Sequence, residues 1–511
     1  MIINSGGDIT KSRILRLTRS NDPGDRQYAS ELLLHTSVED NTSFLIELLS
    51  DPDSKVRNTA IKTSIKKNSP EVILALIENL GNPQYSNQAL NALVLIGGKA
   101  LSQLDSSFYR SGQSTQTMIR IVQIIGRIGG QRAKDLLWNK IDYPDKVVVS
   151  NVLLAMGGAG FKAGISQISR IKFAIENDIG DISWNLSAIA EIGGEGFANE
   201  LKEAIRAEIS SDIDHVYMLM AMLYDTRSIQ LVKENIESGT VEGTSFAIEL
   251  LDVFLSEQLK ERVIPVLDEL SEQDRINKLE IFYPRIELDE KLVLKFLINR
   301  DFTQTNRWTK ACVLRQIGLL RISEFSLDLI AQLFNPDRLI REMAGWALYQ
   351  IDEDSYQSNV IRLASETQKA LDGAIIKGTS GHASILLFEK IRFFSGINIF
   401  SGITGLSLSF LADISQEELM NENESLSLDE RSNNSFYIIY SGEIDYFNQG
   451  QHRAVYGPGQ FLGEMLSLPG FAKTNTLIAK ERTVLLRIGK DQLYEQLAGN
   501  VKLADRVLEY V

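Results

Sequence analysis

One turn-and-helix signature recurs along this chain and constrains its fold more than any other feature. It is clearest in L-L-S-D-P-D-S-K-V-R-N-T-A-I, from Leu48 to Ile61. Asp51 and Pro52 stop one helix, Asp53 caps the next, and Val56, Ala60 and Ile61 share one helical face. The order returns in L-F-N-P-D-R-L-I-R-E-M-A-G-W-A-L, Leu333 to Leu348, where Pro336, Asp337, Ile340 and Arg341 match Pro52, Asp53, Val56 and Arg57. A fainter copy begins at Leu80. Gly-Gly pairs follow Ile96, Ile128, Met156 and Ile192 as expected helix ends, one helical hairpin (roughly 28–36 residues) apart. This punctuation predicts paired amphipathic helices from about residue 10 to residue 372, each pair burying a face against the next.

At 511 residues the chain is too long for one ordinary core, which agrees with a repeat array plus a further domain. A formal charge of −14 argues against nucleic acid or an anionic membrane surface as the main partner. The single cysteine, Cys312, allows no internal disulfide, fits a reducing cytoplasm and sits in an apolar helical pattern as a core residue. Residues Phe393 to Ala412 carry no charge, but three glycines interrupt them, so they read as helices leading into the C-terminal domain rather than a membrane span. His35, His215, His382 and His452 do not stand at ligand spacing with one another, and no metal site is expected. No G-x-S-x-G elbow, kinase signature or P-loop occurs. The run G-G-A-G-F-K-A-G at Gly157 to Gly164 lacks a Walker lysine-hydroxyl pair and a preceding strand, and reads as a helix cap. The chain is expected to be non-enzymatic. Trp138, Trp184, Trp308 and Trp346 are expected to be packing anchors.

Residues 373 to 384 are small and glycine-rich and read as a connection to a domain spanning 385 to 511. That domain is expected to open with a helix near Leu386, pass an acidic loop at Gln416 to Glu424, and continue as strands to about Ile488. Phe436 to Ile444 alternates as a half-buried strand turning at Ser441-Gly442. One amphipathic helix, Lys490 to Val511, carries Leu493, Leu497, Leu503, Val507 and Leu508. Gly459 to Thr476 stands out: G-Q-F-L-G-E-M-L-S-L-P-G-F-A-K-T-N-T. Gly463 lets backbone approach a ligand, Glu464 can accept from ribose hydroxyls, and amides near Lys473 and Thr474 can face an anion.

This stretch resembles the phosphate-binding cassette of cyclic-nucleotide-binding domains, in which a Gly-Glu pair holds the ribose and an Arg pairs with the cyclic phosphate. The resemblance implies a β-roll (jelly-roll) domain with flanking helices and a site for cyclic AMP or cyclic GMP at Gly463, Glu464, Met465, Leu466, Lys473, Thr474 and Thr476. No other cofactor is expected. Lys473 stands where the family has Arg; it keeps the charge and loses the two-pronged grip. Losing one charge-assisted bond costs on the order of 1.5–3 kcal/mol, roughly ten- to a hundredfold in affinity. Binding then survives weakly, changes ligand or is lost.

The D-P-D-x-x-V-R turns with glycine caps resemble HEAT repeats, which implies an all-α solenoid of roughly eight to ten helix pairs presenting a surface to a protein partner. The region between Ser238 and Pro284, together with Arg341 to Asp352 and Leu386 to Ile403, resembles the cytosolic part of bacterial proteins in which an ATP/ADP-carrier-like membrane domain precedes such repeats. Three readings stay open: a cytoplasmic nucleotide sensor, a pure scaffold with a degenerate pocket, and the regulatory portion of a membrane nucleotide carrier at the inner face of the membrane. A DNA-binding helix-turn-helix after the last helix, a channel pore and a lid helix over the base are not expected.

Overall fold

A computed structural model describes residues 11–35, 42–192, 199–285, 288–376, 384–428, 435–448, 450–462 and 475–510. The chain divides into two compact units, Met1–Ile165 and Ser166–Val511.

The first unit is helical: α1 (Lys11–Thr18), α2 (Pro23–Leu33), α3 (Thr42–Leu48), α4 (Ser54–Ser64), α5 (Pro70–Glu78), α6 (Ser86–Ile96), α7 (Leu101–Phe108), α8 (Thr115–Ile128), α9 (Gly130–Trp138) and α10 (Lys146–Gly158). Even-numbered helices pack on one another in chain order from α2 to α10, and odd-numbered ones likewise from α1 to α9. The hairpins therefore stack in two rows. Val56, Ala60 and Ile61 are buried between them, as the periodicity requires. Asp53 accepts from the amides of Lys55 and Val56 at 2.9 and 3.1 Å and starts α4. Asp51 holds Arg26 of the previous hairpin through two bonds of 2.7 and 3.0 Å and also accepts from the Asp53 amide at 2.9 Å. Arg57 donates to Asn79 of the following hairpin at 2.7 Å. This turn and the helix it starts are thus tied to the hairpins on either side.

Gly97 and Gly129 close α6 and α8 with φ of +68° and +67°. The Met156 mark behaves differently from expectation. Helix α10 continues through Gly157 and Gly158, and the left-handed residue is Gly160. The Phe161 amide reaches the Met156 carbonyl at 2.9 Å and the Gly160 amide reaches Gly157 at 3.0 Å, the paired bonds of a Schellman end. The stacking of Phe161 on Trp138 completes it. A glycine-rich nucleotide loop is not formed there. The pair Gly193-Gly194 lies outside the described residues.

In the second unit α11 (Ile168–Glu191) and α12 (Asn199–Leu223) pack on each other, and shorter helices follow to Ser365–Ile375. That last helix takes in Gly373 to Ile375, so the connecting segment starts later than its composition suggested; residues 377–383, with His382, lie outside the described residues. Helices Leu387–Ser395 and Gly405–Ile414 lead into eight strands: β1 (Gln416–Met420), β2 (Ser425–Leu428), β3 (Ser435–Ser441), β4 (Ile444–Asn448), β5 (Gln451–Tyr456), β6 (Phe461–Leu462), β7 (Asn475–Ala479) and β8 (Thr483–Gly489). They form two four-stranded sheets, β1-β8-β3-β6 and β2-β7-β4-β5.

Two expectations need correction. Gln416 to Met420 is a strand, not an acidic loop. Its carboxylates find cations instead of repelling the pairing: Glu418 meets Arg487 across the β1–β8 ladder at 3.2 Å and Glu417 meets Lys390 at 3.0 Å. The terminal helix is two helices, Lys490–Gly499 and Val501–Tyr510, broken at Asn500, whose side chain accepts from the Leu503 amide at 3.0 Å and donates to Ser407. Leu493, Leu503 and Val507 are buried, whereas Leu508 is exposed. The second of these helices packs against the turn Asn398–Phe400.

Because Asp51 is buried and serves three donors, Asp51→Ala should destabilise the protein by about 3 kcal/mol. Glu47→Ala, which removes only an exposed partner of Arg19, should stay within about 0.5 kcal/mol. Urea unfolding of the two variants checks the contrast.

Candidate functional site

The stretch chosen from sequence joins the two sheets. β6 pairs with β3 in one sheet, Tyr437 opposite Leu462 and Ile438 opposite Phe461; β7 pairs with β2 and β4 in the other. Leu462 and Leu477, on either side of the stretch, are both buried in the apolar core between the sheets with Tyr437, Ile439, Ile444 and Leu485. Burial in this core raises the Tyr437 phenol. The approach to β6 is fixed as well: Gly459, at φ +82°, donates to the Ile439 carbonyl at 2.8 Å, and the Gly457 amide donates to Gln460 at 2.7 Å. The turn at Ser441-Gly442 forms as expected, with Gly442 at φ +89° and its Cα beside Thr483. Of the residues singled out, Thr476 lies half-buried on β7, opposite Ser427 and Phe447. Gly463, Glu464, Met465, Leu466, Lys473 and Thr474 lie outside the described residues.

The helices leading into the sheets hold on to the helical array through polar groups that sequence reasoning did not select. Glu342, buried on helix Arg338–Ile351, accepts from the Leu387 amide at 2.7 Å and so caps helix Leu387–Ser395. Glu417 of β1 receives the Ile385 amide at 3.1 Å to both oxygens. Arg307 bridges Asp337, the cap of helix Arg338–Ile351, at 2.8 Å and Asp413 of helix Gly405–Ile414. Burial works to lower the Arg307 guanidinium, but Asp413 and Asp337 outweigh it and its pKa is raised. Arg315 reaches Glu389 at 2.7 Å. Between these pairs Trp308 stacks on Phe388 with ring centroids 4.7 Å apart. A Cβ at Gly405 would stand 2.2 Å from the indole nitrogen of Trp308, so glycine alone leaves room for that ring. The signal in sequence was Glu342 itself, a carboxylate among the apolar positions Leu339, Met343 and Ala344.

The family model for the cyclic nucleotide-binding domain matches residues 421–500. The C-terminal part of this chain is a cyclic nucleotide-binding domain. Among solved structures, a cyclic nucleotide-binding-like protein from Brucella abortus is similar at 24% identity over 22% of this chain and 98% of its own, TM-score 0.19. A cyclic nucleotide-binding domain from Methylobacillus flagellatus matches at 22% identity over 24% and 71%, TM-score 0.21. The catabolite activator protein of Thermus thermophilus matches at 21% over 22% and 55%, TM-score 0.20. No curated protein matches the chain. No helix among the described residues is long and apolar enough to cross a membrane.

Burial raises the Glu342 carboxyl above the ordinary value of 4.5, against the opposing pull of Arg338, the Leu387 amide and Lys390. The folded state therefore holds this proton more tightly than the unfolded one. The associated stability is complete below the ordinary value and is lost as pH rises through the raised one. As pH rises above 4.5 and through the raised value, wild type should lose stability relative to Glu342→Gln, which keeps an acceptor and does not ionise. Urea unfolding of both proteins across that window checks the sign; a difference independent of pH contradicts it.

Proposed function

We propose that this protein is a non-enzymatic regulator: its C-terminal domain senses a cyclic nucleotide, and its stacked helices form a HEAT-like α-solenoid that presents a surface to a protein partner. The observation that carries this reading is the seam at Arg307, Trp308 and Glu342. The two helices that lead into the nucleotide-binding fold are the same ones bonded to the array. A ligand that prefers one arrangement of those helices changes the contacts of the array by the same free energy, which is the physical content of coupling between two sites. In this reading Glu464 holds ribose hydroxyls and Lys473 faces the phosphate, while Gly463, Met465 and Leu466 supply close backbone. Thr474 and Thr476 add hydroxyls.

A second reading, a scaffold whose pocket is degenerate, is favoured by Lys473 itself, since an ammonium cannot match two phosphate oxygens as a guanidinium does.

Calorimetric titration of the full chain with cyclic AMP and cyclic GMP separates the two. Sensing predicts measurable binding, abolished by Glu464→Ala and tightened by Lys473→Arg roughly ten- to a hundredfold. No heat with either nucleotide, for wild type and for Lys473→Arg alike, leaves the scaffold.

A further inference from the structure

Helix Val241–Phe254 turns a mixed face to solvent rather than a polar one. Thr240 caps it, its hydroxyl accepting from the Gly243 amide at 3.1 Å, and Gly243, Thr244, Ala247 and Leu251 form its buried side. On the outer side Glu242, Phe246, Glu249 and Val253 follow one another at spacings of four, three and four, so they line a single stripe. All four are exposed, Phe246 at 47% and Val253 at 82%. Apolar residues scattered singly over a surface need no explanation. Here two of them stand about 10 Å apart along one helix, each beside a carboxylate, at the period of a helix-helix seam.

The charge around the stripe has one sign. Residues 226 to 279 carry eleven Asp and Glu against six Lys and Arg, a net −5 of the chain's −14. The nearby lysines are already engaged: Lys260 lies 3.0 Å from both Asp252 and Glu257, and Lys233 lies 2.6 Å from Asp214. Glu242 and Glu249 have no ion-pair partner among the described residues. Such a face repels an anionic membrane, a nucleic acid or an acidic peptide. A second copy docked face to face would set Glu242 and Glu249 against their own counterparts. What fits is a helix whose cations meet the two carboxylates while its apolar residues cover Phe246 and Val253. We propose that helix Val241–Phe254 docks a cationic amphipathic helix of a partner protein along the stripe Glu242, Phe246, Glu249 and Val253. This docking site rests on the reading of the array as a partner-binding surface, and adds its place and the partner's chemistry.

The two kinds of residue in the stripe do different things. Opposite charge draws the partner in and fixes its register, and added salt screens this part. Covering Phe246 and Val253 removes apolar surface from water, a gain that salt does not weaken. A matching partner therefore alternates Lys or Arg with Leu-like residues at spacings of three and four. The same residues in scrambled order have the charge but no single face to offer. One helix face is at the small end of protein interfaces, so the complex is transient.

Fluorescence anisotropy on the full chain tests this with three labelled synthetic peptides of about two heptads. One is an amphipathic Leu/Lys helix, one a Leu/Glu helix of the same pattern, and one the Leu/Lys peptide in scrambled order. Wild type should bind the patterned Leu/Lys peptide about tenfold more tightly than the other two. Glu242→Lys/Glu249→Lys should weaken that binding about tenfold and flatten its salt dependence, and Phe246→Ser/Val253→Ser should weaken it as much and leave the salt dependence in place. Glu31→Lys/Glu366→Lys, the same change in net charge at exposed positions of other helices, should stay within about twofold. Equal affinity for the two Leu/Lys peptides, or binding that both stripe variants keep, overturns this site and leaves the wider partner reading standing. No binding of any peptide overturns the site and removes the support it lends to that reading. Wild-type dimers that Phe246→Ser/Val253→Ser disperses in sedimentation give the face to a second copy, which also overturns the proposal.

Discussion

A buried glutamate that ends one part of the chain's hydrogen-bonding and begins another is the constraint on which the second unit rests. The first amides of any helix lack partners within it and must find acceptors elsewhere. Helix Leu387–Ser395 finds one outside itself, in Glu342 of the array, while Glu417 of β1 holds the Ile385 amide two residues before the helix begins. Its start is therefore defined by two neighbours at once. Arg307 ties the last turn of helix Gly405–Ile414 to the array by joining Asp413 to Asp337. Buried pairs of this kind contribute little net stability, because desolvation offsets attraction, but removing one partner strands the other. They fix one arrangement more than they strengthen it.

That arrangement gives the nucleotide-binding fold a mechanical context. Trp308 fits only because Gly405 has no side chain, and its stacking on Phe388 fills the space between the two polar ties. Close-packed interiors tend to switch between discrete states rather than deform smoothly. Strands β6, β3, β8 and β1 pair in that order, so one sheet runs from β6 to Glu417, which pairs with Lys390 of helix Leu387–Ser395.

The helical rows were legible because their signals are local. Asp53 and Asp337 cap the helices assigned to them, and Val56, Ala60 and Ile340 are buried as their spacing demands. Local reading failed where a partner distant in sequence decided the outcome. Gln416 to Met420 looked like a loop until Arg487 and Lys390 supplied its countercharges. Gly157-Gly158 looked like a cap, but Phe161 needed Trp138 and drew the helix end to Gly160. Asn500 broke the last helix by capping Leu503. The cassette was recognised by its pattern, whereas Glu342 showed only as a carboxylate among apolar positions, and nothing near it or Arg307 in sequence announces what they touch.

Hydrogen exchange at the Leu387 amide tests the seam most directly. If Glu342 holds that amide, exchange is slow in wild type and accelerates in Glu342→Ala, while the amides of Ile438 and Leu486 in the sheet core keep their protection. Equal exchange at Leu387 in both proteins, or fast exchange there in wild type, contradicts the account.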